Sequence, residues 1–151
     1  MKGNVLRSKA MGAMAVMMLI GIMLTGCVGP SGNGYSGKYK IASAENGYVS
    51  IPASEISTAV SWYQYNYGGV AVKFFAVKGG DGKIRTAFDA CDVCYPEKKG
   101  YSQDGAYMSC NNCGKKFAVN SIGTDNTKGG CWPGYLPRTI SGDNVQISES
   151  D

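Results

Sequence analysis

Residues 69–77 read GVAVKFFAV, and they are followed by KGGDG at 78–82 and by KIRTAF at 83–88. Both apolar segments are rich in β-branched and aromatic residues, which favour a pleated and half-buried surface. The glycines between them accept the positive φ that a tight turn requires. The stretch therefore predicts a β-hairpin, which is the strongest structural signal in the chain.

The rest of the chain alternates in the same way between apolar segments and turn residues. We predict further strands at 39–42, 48–51 and 59–65, and a closing hairpin of 138–141 with 145–148. The only helix expected is a short turn at Ser54, whose hydroxyl can cap it, because no long 3.6-residue apolar period occurs. The predicted fold class is thus mainly β, in a single compact domain of antiparallel hairpins. A small α+β fold is the alternative. Six aromatic residues in these strands are expected to be core residues: Tyr48, Trp62, Tyr63, Tyr65, Phe74 and Phe75.

The amino-terminal segment has the layout of an export signal. Lys2, Arg7 and Lys9 precede residues 10–24, a run of fifteen residues without a charge. A bilayer-spanning helix needs roughly 20 apolar residues, so this run is short for a permanent span. We therefore interpret residues 1–26 as a removable signal peptide.

The residues Leu24, Thr25, Gly26 and Cys27 resemble the lipobox of bacterial and archaeal lipoproteins. The resemblance implies that Cys27 is acylated and that the chain is cut just before it. A diacylglyceryl group holds a protein stably at a membrane without a spanning helix. Residues 27–38 are then the lipidated cysteine and a flexible Gly/Ser-rich tether, and residues 39–151 are the domain. The alternative is an ordinary signal peptide, in which Cys27 is one more disulfide or ligand thiol.

The mature chain is small and nearly neutral. Removal of 26 residues from the 151 leaves 125, which is enough for one domain. The mature part has twelve basic and eleven acidic residues, a balance that argues against nucleic-acid binding. It has no histidine, which removes the commonest metal ligand and the usual general base.

Five cysteines follow the strongest hairpin, in the order Cys91, Cys94, Cys110, Cys113 and Cys131. The first four form two C-x-x-C pairs separated by fifteen residues, and seventeen residues separate the second pair from the last cysteine. Each pair can turn both thiolates toward one ion, and two such pairs form a tetrahedral sulfur site. Glycines after the second pair and before the last cysteine allow the backbone to approach the metal closely. The spacing predicts a metal centre.

Other uses of these thiols compete with a metal. Structural disulfides would leave one of five thiols over, and a thioredoxin-type oxidoreductase would need a long helix after the motif. A structural zinc ribbon fits the four paired cysteines and leaves Cys131 unexplained, so it stays open. Thiolates suit iron–sulfur clusters, zinc and cuprous copper alike.

The chain also resembles the FtrD-like membrane iron-sulfur domain family, which is associated with iron-uptake and electron-transfer systems. The matching text is FFAVKGGDGKIRTAFDACDVCYPEKKGY, CNNCGKKF, GGCWP and LPRTI, within residues 51–147. Two features depart from the family: relatives often attach this domain to several membrane spans, and Trp132 stands where Asn is common. The resemblance implies an iron–sulfur cluster or iron held by Cys91, Cys94, Cys110, Cys113 and Cys131.

We therefore expect an exported protein, lipid-anchored to the cell membrane and facing outside the cytoplasm, that carries electrons or serves iron uptake. Its expected partner is a membrane iron-transport or redox protein, and we expect no enzyme activity of its own beyond that of a redox carrier. The alternative is a zinc-ribbon domain that binds a protein or ligand. Cys131, which follows two glycines, is expected to lie beside the site as an exchangeable or fifth ligand. Asp89 and Asp92 are expected in turn or cap roles rather than as ligands.

Overall fold

The computed structural model describes residues 35–151, which form twelve strands and three 3-10 turns. The strands are β1 Tyr35–Ser36, β2 Tyr39–Ala42, β3 Ala44–Glu45, β4 Tyr48–Pro52, β5 Ser61–Tyr67, β6 Val70–Lys78, β7 Ile84–Phe88, β8 Tyr101–Asp104, β9 Tyr107–Cys110, β10 Lys116–Ala118, β11 Thr139–Ser141 and β12 Asn144–Ser148. The 3-10 turns are Ala53–Glu55, Tyr95–Glu97 and Val119–Ser121. The predicted mainly β fold is confirmed. Between residues 35 and 151, no helix is long and apolar enough to cross a membrane.

The strands form three sheets. The first sheet has the order β1-β2-β5-β6-β7, the second β11-β12-β4-β3 and the third β10-β9-β8. Every pairing is antiparallel except that of β2 with β5, where Lys40 is aligned with Tyr63 in a parallel register. The fold is therefore a set of antiparallel hairpins, as predicted, with one parallel contact that joins the amino-terminal strands to the first sheet.

Strand β6, from the strongest predicted hairpin, lies in the first sheet and is covered on both faces. Successive side chains of a strand point to opposite faces of the sheet. Phe75 and Val77 accordingly enter one hydrophobic core, while Phe74 and Ala76 enter another. Because both faces of β6 are covered, its apolar run is continuous rather than alternating.

The two cores divide the domain into three layers. One core lies between the first and second sheets and contains Val49, Ile51, Val145 and Ile147 from the second sheet. The other lies between the first and third sheets and consists of Phe75, Val77, Ala87, Cys91, Tyr101, Met108, Cys110, Phe117, Val119, Ile122 and Cys131. We call this second set the cysteine core, because three of the five thiols belong to it.

Most predicted strands are confirmed, with small shifts at their ends. The strongest hairpin pairs Phe74 with Phe88 and Lys78 with Ile84, and the closing hairpin pairs β11 with β12. Tyr63, Phe74 and Phe75 are buried as expected, while Trp62 and Tyr65 are only partly buried.

Two predictions of detail are wrong. Tyr48 is 43% exposed, because Val49 and Ile51 occupy the inward positions of β4. The short helical turn predicted at Ser54 is present as the 3-10 turn Ala53–Glu55, but Ser54 lies inside it, and the turn follows Pro52 and has no side-chain cap. Proline at that position fixes φ and starts the turn without help from the hydroxyl.

The described part of the structure includes residues 35–38, which lie before the predicted boundary at residue 39. Tyr35–Ser36 pairs with β2, and the Lys38 ammonium forms an ion pair with buried Asp89 at 3.1 Å. The end of the expected tether is thus part of the fold. The predicted signal peptide, Cys27 and the rest of the tether lie outside the described residues.

Candidate metal centre

The first C-x-x-C pair follows directly on β7. The carbonyl oxygen of Cys91 accepts the N–H of Tyr95 at 2.8 Å, which closes a tight turn around the pair. The Cys91 sulfur accepts the N–H of Cys94 at 3.2 Å. Cys91 is buried in the cysteine core, whereas Cys94 is half-buried at the edge of the turn.

The second pair follows strand β9 and repeats this turn. The carbonyl oxygen of Cys110 accepts the N–H of Gly114 at 2.8 Å, as that of Cys91 accepts the N–H of Tyr95. Gly114 has a φ of +72°, a conformation that a side chain disfavours, so glycine lets the chain double back here as expected. Cys110 is buried and Cys113 is exposed.

The segment that carries Cys131 lies along the end of β7. Gly129 and Gly130 both have positive φ and bring the chain to the site. Beyond Cys131, Gly134 donates its N–H to the carbonyl oxygen of Ala90 and accepts the N–H of Phe88, both at 2.9 Å. The position of Cys131 is therefore fixed by the same strand end that fixes the first pair.

These three segments bring all five predicted thiols together, and all five are free. The sulfur of Cys131 lies 3.4 Å from that of Cys91, 3.5 Å from that of Cys113 and 4.0 Å from that of Cys94. Four sulfurs lie within 4.8 Å of one another, those of Cys94, Cys110, Cys113 and Cys131. This tetrad leaves out Cys91.

The sulfur positions favour a different division among the five thiols from the one expected from the sequence. Cys131 was expected beside the site because it follows a flexible Gly-Gly segment. Instead the residues after it bind β7, so Cys131 is placed as firmly as either pair. The geometry favours Cys91 as the additional thiol, whose sulfur contacts the Cys131 sulfur and the Cys94 N–H.

The tetrad fits a single tetrahedral ion. With a zinc–sulfur bond of about 2.3 Å, the corners of a tetrahedral sulfur site lie roughly 3.8 Å apart. The separations of Cys131 from Cys94 and Cys113 lie close to that value. A cluster places iron and sulfide between the thiolates, so it would need the four sulfurs further apart. The donor set is sulfur throughout and suits iron, zinc and cuprous copper.

The thiols differ in how readily they ionise. Burial raises the pKa of the Cys131 thiol well above its usual range. The backbone N–H of Lys115 lowers the pKa of Cys113. Burial also acts to raise the pKa of Cys91, but the N–H of Cys94 and other hydrogen bonds bring it below its ordinary value. Because cysteines bind a metal as thiolates, metal binding by these thiols is coupled to proton release.

Asp89 and Asp92, the acidic residues beside the first pair, were expected in turn or cap roles, and Asp89 instead accepts hydrogen bonds from residues of β2 and β8. Asp89 is 7% exposed, and its carboxylate accepts the N–H of Tyr101 and the hydroxyl of Tyr39, both at 2.6 Å. Asp92 is exposed. Asp89 thus joins β8 to the end of β7, and both of its oxygens accept hydrogen bonds.

Charged side chains around the second pair face solvent. The four nearby lysines are exposed: Lys98, Lys99, Lys115 and Lys116. The Lys116 ammonium pairs with the carboxylate of Asp104 at 2.6 Å. That of Lys99 donates to the Asn112 side chain at 3.0 Å. These contacts favour ordinary solvated roles over a dedicated charge-compensating role.

Two aromatic residues lie beside the thiols: Tyr101, which was not singled out from the sequence, and Trp132, which was noted there only as a departure from the family. The Tyr101 hydroxyl lies 3.8 Å from the Cys131 sulfur, and burial, followed by hydrogen bonds to Cys131 and Cys91, raises the pKa of Tyr101. Trp132 packs edge-on against Phe117, with ring centroids 5.3 Å apart. Sequence alone offered no signal for Tyr101 beyond its place before an Asp-Gly turn.

A mainly β domain that gathers five free cysteines around one point defines a class, the cysteine-rich metal-binding domains. Comparison with known families is more specific, because the model described as "Membrane iron-sulfur containing protein FtrD-like" matches residues 56–151. The match covers more than half of the chain, and the protein therefore belongs to the FtrD-like family. The resemblance inferred from the sequence is confirmed. No curated protein and no solved structure matches the chain.

Proposed function

We propose that this protein is a lipid-anchored electron carrier whose cysteine core holds an iron–sulfur or single-iron centre at a membrane. The observation that carries the proposal is the tetrad of sulfurs within 4.8 Å of one another, whose spacing favours the single-iron form, while the iron–sulfur form is supported by the description of the FtrD-like family. The coarser conclusion, that the protein binds metal, follows from the family and the cysteine cluster together.

The ligands in this proposal are Cys94, Cys110, Cys113 and Cys131. A bound iron centre would supply one-electron chemistry, and thiolates are its customary ligands. Cys110 and Cys131 anchor the buried side of the site, while Cys113 lies exposed at the surface. An exposed ligand gives a redox partner a short path to the centre without opening the fold.

A partner can also approach from the side of the first pair. A cleft of about 720 Å³ runs beside it and is lined by Asp89, Cys91, Cys94, Tyr95 and Lys98, among others. Tyr95 and Val93 on this turn are large, exposed apolar residues. We propose that the partner is a membrane iron-transport or redox protein, and that this chain acts as a carrier rather than as an enzyme with its own substrate.

Anaerobic purification followed by metal and sulfide analysis tests the centre. Iron with acid-labile sulfide indicates a cluster, and one iron per chain without sulfide indicates the single-iron form that the sulfur spacing favours. One zinc per chain, with neither iron nor sulfide, would refute the proposal.

Serine variants of individual cysteines test the ligand set. We expect Cys94→Ser, Cys110→Ser and Cys131→Ser each to lose the centre, since each removes one corner of the tetrad. Cys91→Ser is the matched control, because it removes a buried thiol 3.4 Å from Cys131 but outside the tetrad. Retention of metal in Cys131→Ser with loss in Cys91→Ser would restore the division expected from the sequence.

A structural zinc site is the second candidate function. It is favoured by two observations: the paired turns after Cys91 and Cys110 share one hydrogen-bond pattern, and the tetrad has the dimensions of a single tetrahedral ion. Such a domain would act as a protein-interaction or ligand-binding module. The same metal analysis separates it from the carrier.

Lipid anchoring at Cys27 is a separate part of the proposal, supported by the lipobox resemblance and by the membrane description of the family. Cys27→Ser should move the protein from the membrane fraction to the soluble fraction of the exported material. Mass spectrometry of the native protein should find a chain that begins at an acylated Cys27. A Cys27→Ser protein that still sediments with membranes, together with a native chain that keeps its leader, would contradict the anchor.

A further inference from the structure

The hydroxyl of Tyr101 contacts the sulfurs of Cys131 and Cys91 inside the cysteine core. Tyr101 is 1% exposed, and its hydroxyl lies 3.8 Å from the sulfur of Cys131. A buried tyrosine hydroxyl ordinarily has a hydrogen-bond partner. Within the described part of the chain, the partners of this hydroxyl are the sulfurs of Cys131 and Cys91. A phenylalanine would pack equally well here, so packing does not account for the hydroxyl.

The backbone and ring of Tyr101 are held from several directions. Its N–H donates to the buried Asp89 carboxylate at 2.6 Å, and Tyr101 is aligned with Cys110 across the β8–β9 pair. Its ring centroid lies 6.3 Å from that of Phe75 and 6.1 Å from that of Phe117. These contacts fix the direction of the hydroxyl independently of the sulfur it meets.

We propose that the Tyr101 hydroxyl donates a hydrogen bond to the Cys131 sulfur at the metal centre and thereby raises the centre's reduction potential. The inference rests on the proposed function, in which Cys131 is a ligand. A hydrogen bond to a ligand sulfur withdraws electron density from it and stabilises the reduced, more negative state. Tyr101 is in this sense a positioning and tuning residue that acts through Cys131.

Tyr101→Phe tests the hydrogen bond, because it removes the hydroxyl and keeps the ring in contact with Phe75 and Phe117. Tyr63→Phe is the matched control, since it removes another buried tyrosine hydroxyl, from the core on the opposite face of the first sheet. In the iron-loaded protein we expect a more negative reduction potential for Tyr101→Phe and an unchanged potential for Tyr63→Phe. A role in packing alone would leave the potential unchanged.

Cobalt-substituted protein gives a second readout that does not depend on which metal is native. The sulfur-to-cobalt charge-transfer band should move to longer wavelength in Tyr101→Phe, because a sulfur without the hydrogen bond is a better electron donor. A ring-fluorinated tyrosine placed at position 101 is a stronger donor and should move the band to shorter wavelength. This second variant keeps the test decisive even if Tyr101→Phe folds poorly.

The outcomes separate this inference from the proposed function. A cobalt band that responds to neither change at position 101 would overturn the inference, whatever the native metal is. A band that shifts as expected in a protein whose native metal is zinc would uphold the hydrogen bond and overturn the electron-carrier function. A potential that falls equally in Tyr101→Phe and Tyr63→Phe would also overturn the inference, because the effect would then not be specific to the sulfur.

Discussion

Replacement of Asp89 by asparagine tests how the site is joined to the fold. One carboxylate oxygen accepts the N–H of Tyr101 at 2.6 Å, and the other accepts the Tyr39 hydroxyl at 2.6 Å and pairs with Lys38 at 3.1 Å. Both oxygens therefore face donors. Asparagine has one oxygen and one NH₂ group, so Asp89→Asn must turn an NH₂ group toward one set of donors.

The expected loss of stability can be estimated from these contacts. Hydrogen bonds to a charged group are each worth about 1.5–3 kcal/mol, and removing one partner leaves the other buried and unsatisfied. The Lys38 side chain is 40% exposed, so its ion pair adds little because solvent screens it. Asparagine preserves the bond from Tyr101 by presenting its oxygen there. We therefore expect Asp89→Asn to lower the free energy of unfolding by about 2–4 kcal/mol.

Denaturant unfolding of the reduced, metal-free protein measures this loss without a contribution from the centre. Asp92→Asn is the matched control, because it makes the same change of charge three residues away at an exposed position. Surface substitutions of this kind usually change stability by less than about 0.5 kcal/mol. If Asp89→Asn and Asp92→Asn unfold at the same denaturant concentration with the same slope, Asp89 does not brace the site as described.

Two further changes test neighbouring parts of the fold. Gly100→Ala should destabilise more than Gly105→Ala in the same unfolding assay: both glycines have positive φ, but an added Cβ at Gly100 would lie 2.5 Å from an Asp89 oxygen, whereas Gly105 has open space. Equal losses would show that backbone strain, about 1–2 kcal/mol at either site, is the whole effect. The hydrogen bond from Arg85 lowers the pKa of Asp81, so this pair stabilises the hairpin above the unfolded pKa of about 3.9, and the contribution is lost as pH falls through the lower folded pKa. The native protein should therefore exceed Asp81→Asn in free energy of unfolding most clearly near pH 7, and this difference should shrink as pH falls below about 4. A difference that does not depend on pH would contradict this assignment.

The strongest hairpin could be predicted from sequence because local composition and turn chemistry agree in it. The third sheet was missed, although residues 101–110 contain a usable signal: Asp104-Gly105 stands between two short segments with polar and apolar residues. Strands β8 and β9 are only four residues long, and their stability comes from packing Tyr101 and Met108 against the first sheet.

The identity of the five thiols could be predicted from their spacing, but their arrangement could not. Sequence shows Gly129-Gly130 before Cys131 and therefore suggests a mobile ligand. The contacts that fix Cys131 come from residues after it: Gly134 bonds to the end of β7, and the Leu136 carbonyl accepts the Thr86 hydroxyl at 2.6 Å. Thr86 and Leu136 are fifty residues apart, and no local pattern encodes such a pairing.

The position of β6 between two cores explains how a small domain can use one of them for a metal. The core on the Phe74 side contains no cysteine, joins the first and second sheets through aliphatic and aromatic contacts, and is closed by the terminal strand β12. The core on the Phe75 side contains three thiols and is bounded by the short third sheet. Metal binding in small sites contributes folding energy. The core on the Phe74 side can therefore stabilise the first sheet, which carries β7. The metal and the hydrogen bonds of Asp89 stabilise the opposite side, where the cysteines lie.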